Sequence, residues 1–222
     1  MTVTPHSPSD VAGRAAVSPH LVTAPTCPAA VREAYHTLLT NVELALGPDK
    51  GRLIAVAALD DTAHATRVAA NLALIAAAGG DRTLLVDGDV RSPTLHELFD
   101  AAAAPGLAQF LNGTDDAHAV VQLTPNPGLE VVMAGVSGAR HAHLDHRGDA
   151  VDALRRLSSL ADRMIVAIAP VLTSADVLRV GPHVDGVLLA LTAGRTRRVE
   201  AARATALLQK ARVPVVGVVL TP

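Results

Sequence analysis

From Pro28 onward, Val31, Ala34, Tyr35, Leu38, Leu39, Val42 and Leu46 recur at steps of three and four residues, and Gly47-Pro48 follows them. That spacing predicts an amphipathic helix stopped at the glycine. Beyond it the pattern changes to short apolar runs separated by helical stretches. Leu53 to Ala57, Thr83 to Val86, Leu129 to Met133, Met164 to Ile168, Gly186 to Leu191 and Val215 to Leu220 read as strands; 63–78, 93–99, 105–112, 148–161, 174–181 and 196–211 read as helices. Nearly continuous apolar runs are what strands buried on both faces require. The alternation therefore predicts an α/β fold, a doubly wound and mostly parallel sheet with helices on both faces and right-handed connections. Ligands in such sheets bind beyond the carboxyl ends of the strands, which points to the loops after Ala57, Val86 and Ile168. Residues 1–27 carry Pro5, Pro8, Pro19 and Pro25 without periodicity, predicting a disordered N-terminal arm before one domain over 28–222. No internal repeat is present.

Composition narrows the picture. Half of the 222 residues are hydrophobic, enough for one sizeable core, but Tyr35, Phe99 and Phe110 are the only aromatics, so Ala, Val, Leu and Ile must build it. The formal charge of -2 spreads no basic field over the chain and argues against nucleic acid. A lone cysteine, Cys27, excludes an internal disulfide and suits a cytoplasmic setting. No stretch approaches the roughly 18 apolar residues of a membrane span, so no direct membrane insertion is expected and a membrane would be reached through a partner.

The run Leu84-Leu85-Val86-Asp87-Gly88-Asp89-Val90-Arg91-Ser92-Pro93-Thr94-Leu95-His96-Glu97-Leu98-Phe99 resembles the bacterial tyrosine kinases of capsule and exopolysaccharide synthesis, within the deviant-Walker ParA/MinD-type P-loop ATPases. Glu33 to Asn41 resembles the family's opening helix, and Ala69-Ala70-Asn71-Leu72-Ala73 the helix after its P-loop. Pro105-Gly106-Leu107, Leu111-Asn112-Gly113, Val184 to Leu189 and Pro214 to Leu220 follow in the family's order. The resemblance implies a P-loop NTPase fold, ATP and Mg²⁺ as cofactors, and a membrane chain-length (polysaccharide co-polymerase) protein as partner, which would place the chain at the inner face of the membrane. It also implies roles for Thr66, Asp87, Asp89 and Arg91 at the nucleotide.

The chain departs from that family at the residues that do chemistry. Asp61-Thr62-Ala63-His64-Ala65-Thr66-Arg67 stands where the family has Pro-Gly-Glu-Gly-Lys-Ser-Thr, so only a hydroxyl survives, at Thr66. A phosphate loop needs glycines that let N–H groups face the phosphates and a lysine that neutralises them; Thr62, His64 and Ala65 supply neither. Ala167 replaces the carboxylate that organises Mg²⁺, and the family's terminal tyrosine cluster has no counterpart up to Pro222. Asp87, Asp89, Thr66 and Arg91 are therefore read as vestigial, with no catalytic residue, metal or cofactor expected, and the chain as a degenerate kinase-like domain, a pseudokinase, that works by binding. Two further readings follow from the same residues. One is a nucleotide-binding tyrosine autokinase with an unusual site, using Arg67 or a neighbouring subunit's arginine as the cation. The other is a ParA/MinD-like positioning adaptor.

Simpler roles compete at several positions. Asp60, Asp61 and Thr62 suit an N-cap facing the positive helix end, and Asp87 and Asp89 suit bonds to backbone N–H groups at a turn. His141-Ala142-His143-Leu144-Asp145-His146 has metal-ligating residue types but sits among glycines and reads as a solvated loop. Arg195-Thr196-Arg197-Arg198 reads as a solvated basic turn that could meet an acidic partner. In the first helix the family's Glu-x-x-Arg-x-x-Arg pattern, through which its subunits assemble, becomes Glu33, His36 and Leu39, which leaves homo-oligomers open through an apolar contact at Leu39.

Overall fold

The computed structural model describes residues 18–48, 51–59, 62–113, 116–136 and 149–221. The first helix, α1, runs Ala29–Leu46 and ends at Gly47, whose φ of 80° any other residue would resist. There follow β1 (Leu53–Ala58), α2 (Thr62–Ala78), β2 (Thr83–Asp87), α3 (Leu95–Phe99), α4 (Leu107–Leu111), β3 (Gln122–Leu123), β4 (Leu129–Val132), α5 (Asp149–Ser158), β5 (Arg163–Ile168), α6 (Asp176–Val180), β6 (Gly186–Thr192), α7 (Arg198–Lys210) and β7 (Val215–Thr221). The strands form one sheet in the order β3-β4-β2-β5-β1-β6-β7, parallel except for the β3–β4 pair. All six predicted strands and the helices between them are present. The two-residue β3 was not predicted, being too short to show a period.

Alternation along the central strands sends successive side chains to opposite faces. Ile54, Val56, Leu85, Ile165 and Leu188 pack with α2 on one side. Leu53, Ala55, Leu84, Val86, Met164 and Val166 pack on the other with Leu107 and Phe110 of α4, Leu154 and Leu157 of α5, and Ala204 and Leu208 of α7. Small side chains suit the first layer: Ala65, Ala69, Ala70 and Ala73 are fully buried along α2. Its backbone can therefore lie close on the sheet while remaining densely packed.

Two expectations require correction. The arm over 1–27 is not wholly unstructured. Leu21, Val22 and Ala24 are 2%, 3% and 1% exposed, and Leu21 and Val22 join the α2 side of the core. The Val22 N–H donates to Asn71 Oδ1 at 2.8 Å, and Asn71 Nδ2 donates to the His20 carbonyl at 3.1 Å. Arg32 adds bonds from its guanidinium to the carbonyls of Val22 and Cys27. Bonds between a short segment and a helix some 50 residues away leave no periodic trace. The second correction concerns α1. Its buried positions are Leu39 and Val42, while Val31 is 41% exposed. Leu39 thus belongs to the chain's own core and is not available as a contact between copies.

Candidate functional site

The carboxyl ends of β1, β2, β5 and β6 converge on the start of α2. Asp60 and Asp61 lie outside the described residues. From Thr62 onward the segment corresponding to the phosphate loop is already helix. Ala65, at the position of the family's lysine, is 0% exposed. His64 turns toward the end of β6, where its Nδ1 lies 3.0 Å from Thr192 Oγ1. Thr66 is buried, and its Oγ1 accepts a 2.9 Å bond from the hydroxyl of Thr94 in the loop after β2.

Asp87 ends β2 and is fully buried. Its Oδ1 accepts from the Asp89 N–H at 3.2 Å, and its Oδ2 accepts from the Thr94 and Leu95 N–H groups at 3.1 and 3.0 Å, the latter two at the start of α3. Burial penalises the charge more than those donors favour it, so the carboxyl is pushed up to about 6. Across the ladder Asp87 pairs with Ala167 of β5, whose carbonyl accepts from the Gly88 N–H at 2.7 Å. No carboxylate thus faces Asp87 from the strand that would carry the second metal-organising acid. Asp89 is 2% exposed and not at the solvent, and its Oδ1 accepts from the Arg91 and Ser92 N–H groups, both at 3.1 Å. Arg91 itself is exposed.

The structure therefore brings Thr66, Asp87 and Asp89 together and turns Arg91 outward. Two participants were not foreseen. Thr94 supplies the hydroxyl that meets Thr66, and Asp176, 1% exposed in the first turn of α6 beyond β5, is a third acid buried at this end of the sheet. A single charge inside the run from Val171 to Leu178 was the available signal. Arg67 is half-buried and faces α1 instead of this cluster, among the residues that line a groove with Tyr35 and Asn71. The histidine-rich segment 141–146 lies outside the described residues. Among those described, no group of three or more histidine, cysteine or acidic side chains is placed to hold a metal ion, and no helix is long and apolar enough to cross a membrane.

No protein-family model matches the chain. It is 27% identical over 188 residues to the tyrosine-protein kinase ptk of Acinetobacter johnsonii, covering 85% of this chain and 26% of that one. It is likewise 27% identical over 188 residues to the tyrosine-protein kinase YwqD of Bacillus subtilis (strain 168), covering 85% and 79%. To the succinoglycan biosynthesis transport protein ExoP of Rhizobium meliloti it is 31% identical over 176 residues, covering 75% and 22%. The chain thus spans about a quarter of ptk and of ExoP, but most of YwqD. Among solved structures, the kinase domain of the Escherichia coli tyrosine kinase ETK matches with a TM-score of 0.79 at 25% identity, over 86% of this chain and 74% of that one. The cell division ATPase MinD of Pyrococcus furiosus matches in fold with a TM-score of 0.65 at 21% identity, over 77% and 71%. The chain is a homologue of the bacterial tyrosine kinases, built on the P-loop fold that they share with MinD-type ATPases.

Proposed function

We propose that this domain is a non-catalytic, kinase-like scaffold or regulator of capsule or exopolysaccharide synthesis and export, working beside a membrane chain-length protein. The observation that carries the reading is the buried Ala65 at the place of the phosphate-binding lysine. Mg·ATP does not fit the residues present. Thr62 and His64 replace the glycines whose N–H groups would cradle the phosphates, and the helix already starts at Thr62. Asp87 spends both oxygens on its own backbone, and Ala167 stands opposite where a second acid would complete a Mg²⁺ site. The partner is inferred from the likeness to ExoP, whose name places that protein in polysaccharide biosynthesis and transport.

The retention of Asp87 and Asp89 at the end of β2 supports the alternative, a nucleotide-binding tyrosine autokinase with an unusual cation. Titration calorimetry with Mg·ATP separates the two readings. No saturable binding is expected; saturable binding abolished by Asp89→Ala would establish the autokinase.

A further inference from the structure

Strand β7 closes the sheet with an open edge. Ala193 donates its N–H to the Thr221 carbonyl, so Thr221 directs its backbone toward β6. In a parallel ladder this direction alternates from residue to residue: Gly217 and Val219 share the orientation of Thr221, while Val218 and Leu220 turn their N–H and C=O groups outward. No strand among the described residues pairs with that side. Exposed edges are ordinarily shielded by charges, prolines or a covering element. Val215 to Thr221 contains neither a charge nor a proline, and Val218 and Leu220 are 54% and 70% exposed. The one irregularity, a shift in register against Val187 and Leu188, lies at the other end of the strand.

Beside this edge, a groove of 620 Å³ opens between β7, α1 and α2. Val219 and Leu38 give it an apolar floor, and the small side chain of Ala34 leaves room along its α1 wall. At the α2 side stand Asn71 and Arg67, and Tyr35 of α1 reaches across to Asn71. Burial pushes the Tyr35 hydroxyl up, against the opposing effects of its hydrogen bond with Asn71 and of the Arg67 charge. Among the described residues that line the groove, Arg67 carries the only fixed charge and none is a carboxylate.

We propose that an extended segment of another polypeptide, apolar at alternate positions and bearing one carboxylate, adds to the outer edge of β7. Its backbone continues the ladder at Val218 and Leu220, every second side chain enters the groove beside α1, and its carboxylate meets Arg67. Main-chain bonds supply affinity in such strand addition, and the pockets for alternate side chains supply selectivity. Charge decides between this occupant and a second copy. A second β7 laid against the first brings Val215 to Thr221, which has no acid to offer Arg67. The proposal deepens the scaffold reading, yet the nucleotide titration reports on Asp89 and the peptide test on β7 and Arg67, so either can fail alone.

The test presents the whole chain to a phage library of random dodecapeptides and follows the enriched peptides, made synthetically, by fluorescence anisotropy. Enriched sequences should alternate apolar and polar positions and carry an aspartate or glutamate. Affinity should fall at least tenfold in Arg67→Glu and in Leu220→Pro, the latter removing an outward N–H that makes no bond to β6. If the proline variant does not fold, amide exchange by NMR replaces it: the Val218 and Leu220 amides should exchange rapidly in the free chain and become protected on binding. Failure to enrich any peptide, enrichment of peptides that protect amides elsewhere, or self-association of the chain that Leu220→Pro abolishes would each overturn the proposal.

Discussion

Asn71, near the middle of α2, holds Val22 by a 2.8 Å bond from the Val22 N–H to its side-chain oxygen, while its amide nitrogen donates to the His20 carbonyl. One side chain thus satisfies two backbone groups of the segment that precedes α1. Asn71→Ala leaves a buried N–H without a partner, at a cost of about 1–3 kcal/mol. For a domain of this size each kcal/mol lowers the melting temperature by about 2–4 °C. Deleting residues 1–24 removes the buried Leu21 and Val22 as well and should lower it further. Thermal melts of the two variants check both expectations; a truncation that melts like the full chain would show that the segment adds nothing.

Asp87 and Asp89 stand two residues apart but should respond differently to the same replacement. Asp87 accepts N–H donors on both oxygens, so Asp87→Asn turns an amide toward one of them and should cost about 1–3 kcal/mol. Asp89 Oδ1 accepts from the Arg91 and Ser92 N–H groups, and asparagine keeps an acceptor for that turn and the same turn preference. Asp89→Asn, which keeps the acceptor for the turn, should therefore cost less than Asp87→Asn. Urea unfolding of the two variants at neutral pH measures the difference.

The buried carboxyl of Asp87 also predicts a pH dependence. Its pKa rises from an ordinary 3.8 in the unfolded chain to about 6 in the folded one, so the folded state holds the proton more tightly. The stability contributed by protonation is complete below about pH 4, declines as pH rises, and is lost above about pH 6. The interval corresponds to roughly 3 kcal/mol. Asparagine cannot titrate, so the gap between the parent and Asp87→Asn should narrow as pH rises from about 4 to 7, which unfolding curves at several pH values would show.

At the phosphate site every change weakens nucleotide in the same direction. Loss of the lysine removes a charge-assisted contact worth about 1.5–3 kcal/mol, and each 1.4 kcal/mol is about tenfold in affinity. The missing glycine loop and the missing acid at Ala167 add to that loss. Calorimetry should therefore show no saturable Mg·ATP binding at about 1 mM. Phosphotyrosine blots should show no modification of Tyr35, and Ala65→Lys alone should restore neither, because Ala65 is buried and the loop around it is helix.

Gly106 lies against the strand end at Met133, where Leu107 and Ala108 donate to the carbonyls of Met133 and Ala134. A Cβ there would collide with the Met133 carbonyl and come within 2.5 Å of the Gly135 nitrogen. Gly106→Ala must push backbone apart and should cost about 1–3 kcal/mol, read from the urea midpoint.

The sequence by itself determined the sheet and its helices. β1, β2, β5 and β6 are legible because strands covered on both faces must be apolar throughout, and α2 because its run of alanines and leucines favours helix. It also placed Thr66, Asp87 and Asp89 at the ends of elements that point to one region. What surrounds those side chains was decided by tertiary structure. Nothing local marks Thr94 as the partner of Thr66, Ala167 as the residue opposite Asp87, or Asn71 as the anchor of Val22, since each pair joins distant segments. Nor could periodicity show that the apolar residues of β7 face solvent at a sheet edge. A hydrophobic pattern records that a segment avoids water, whereas the order of the strands alone decides which of them is left without a neighbour.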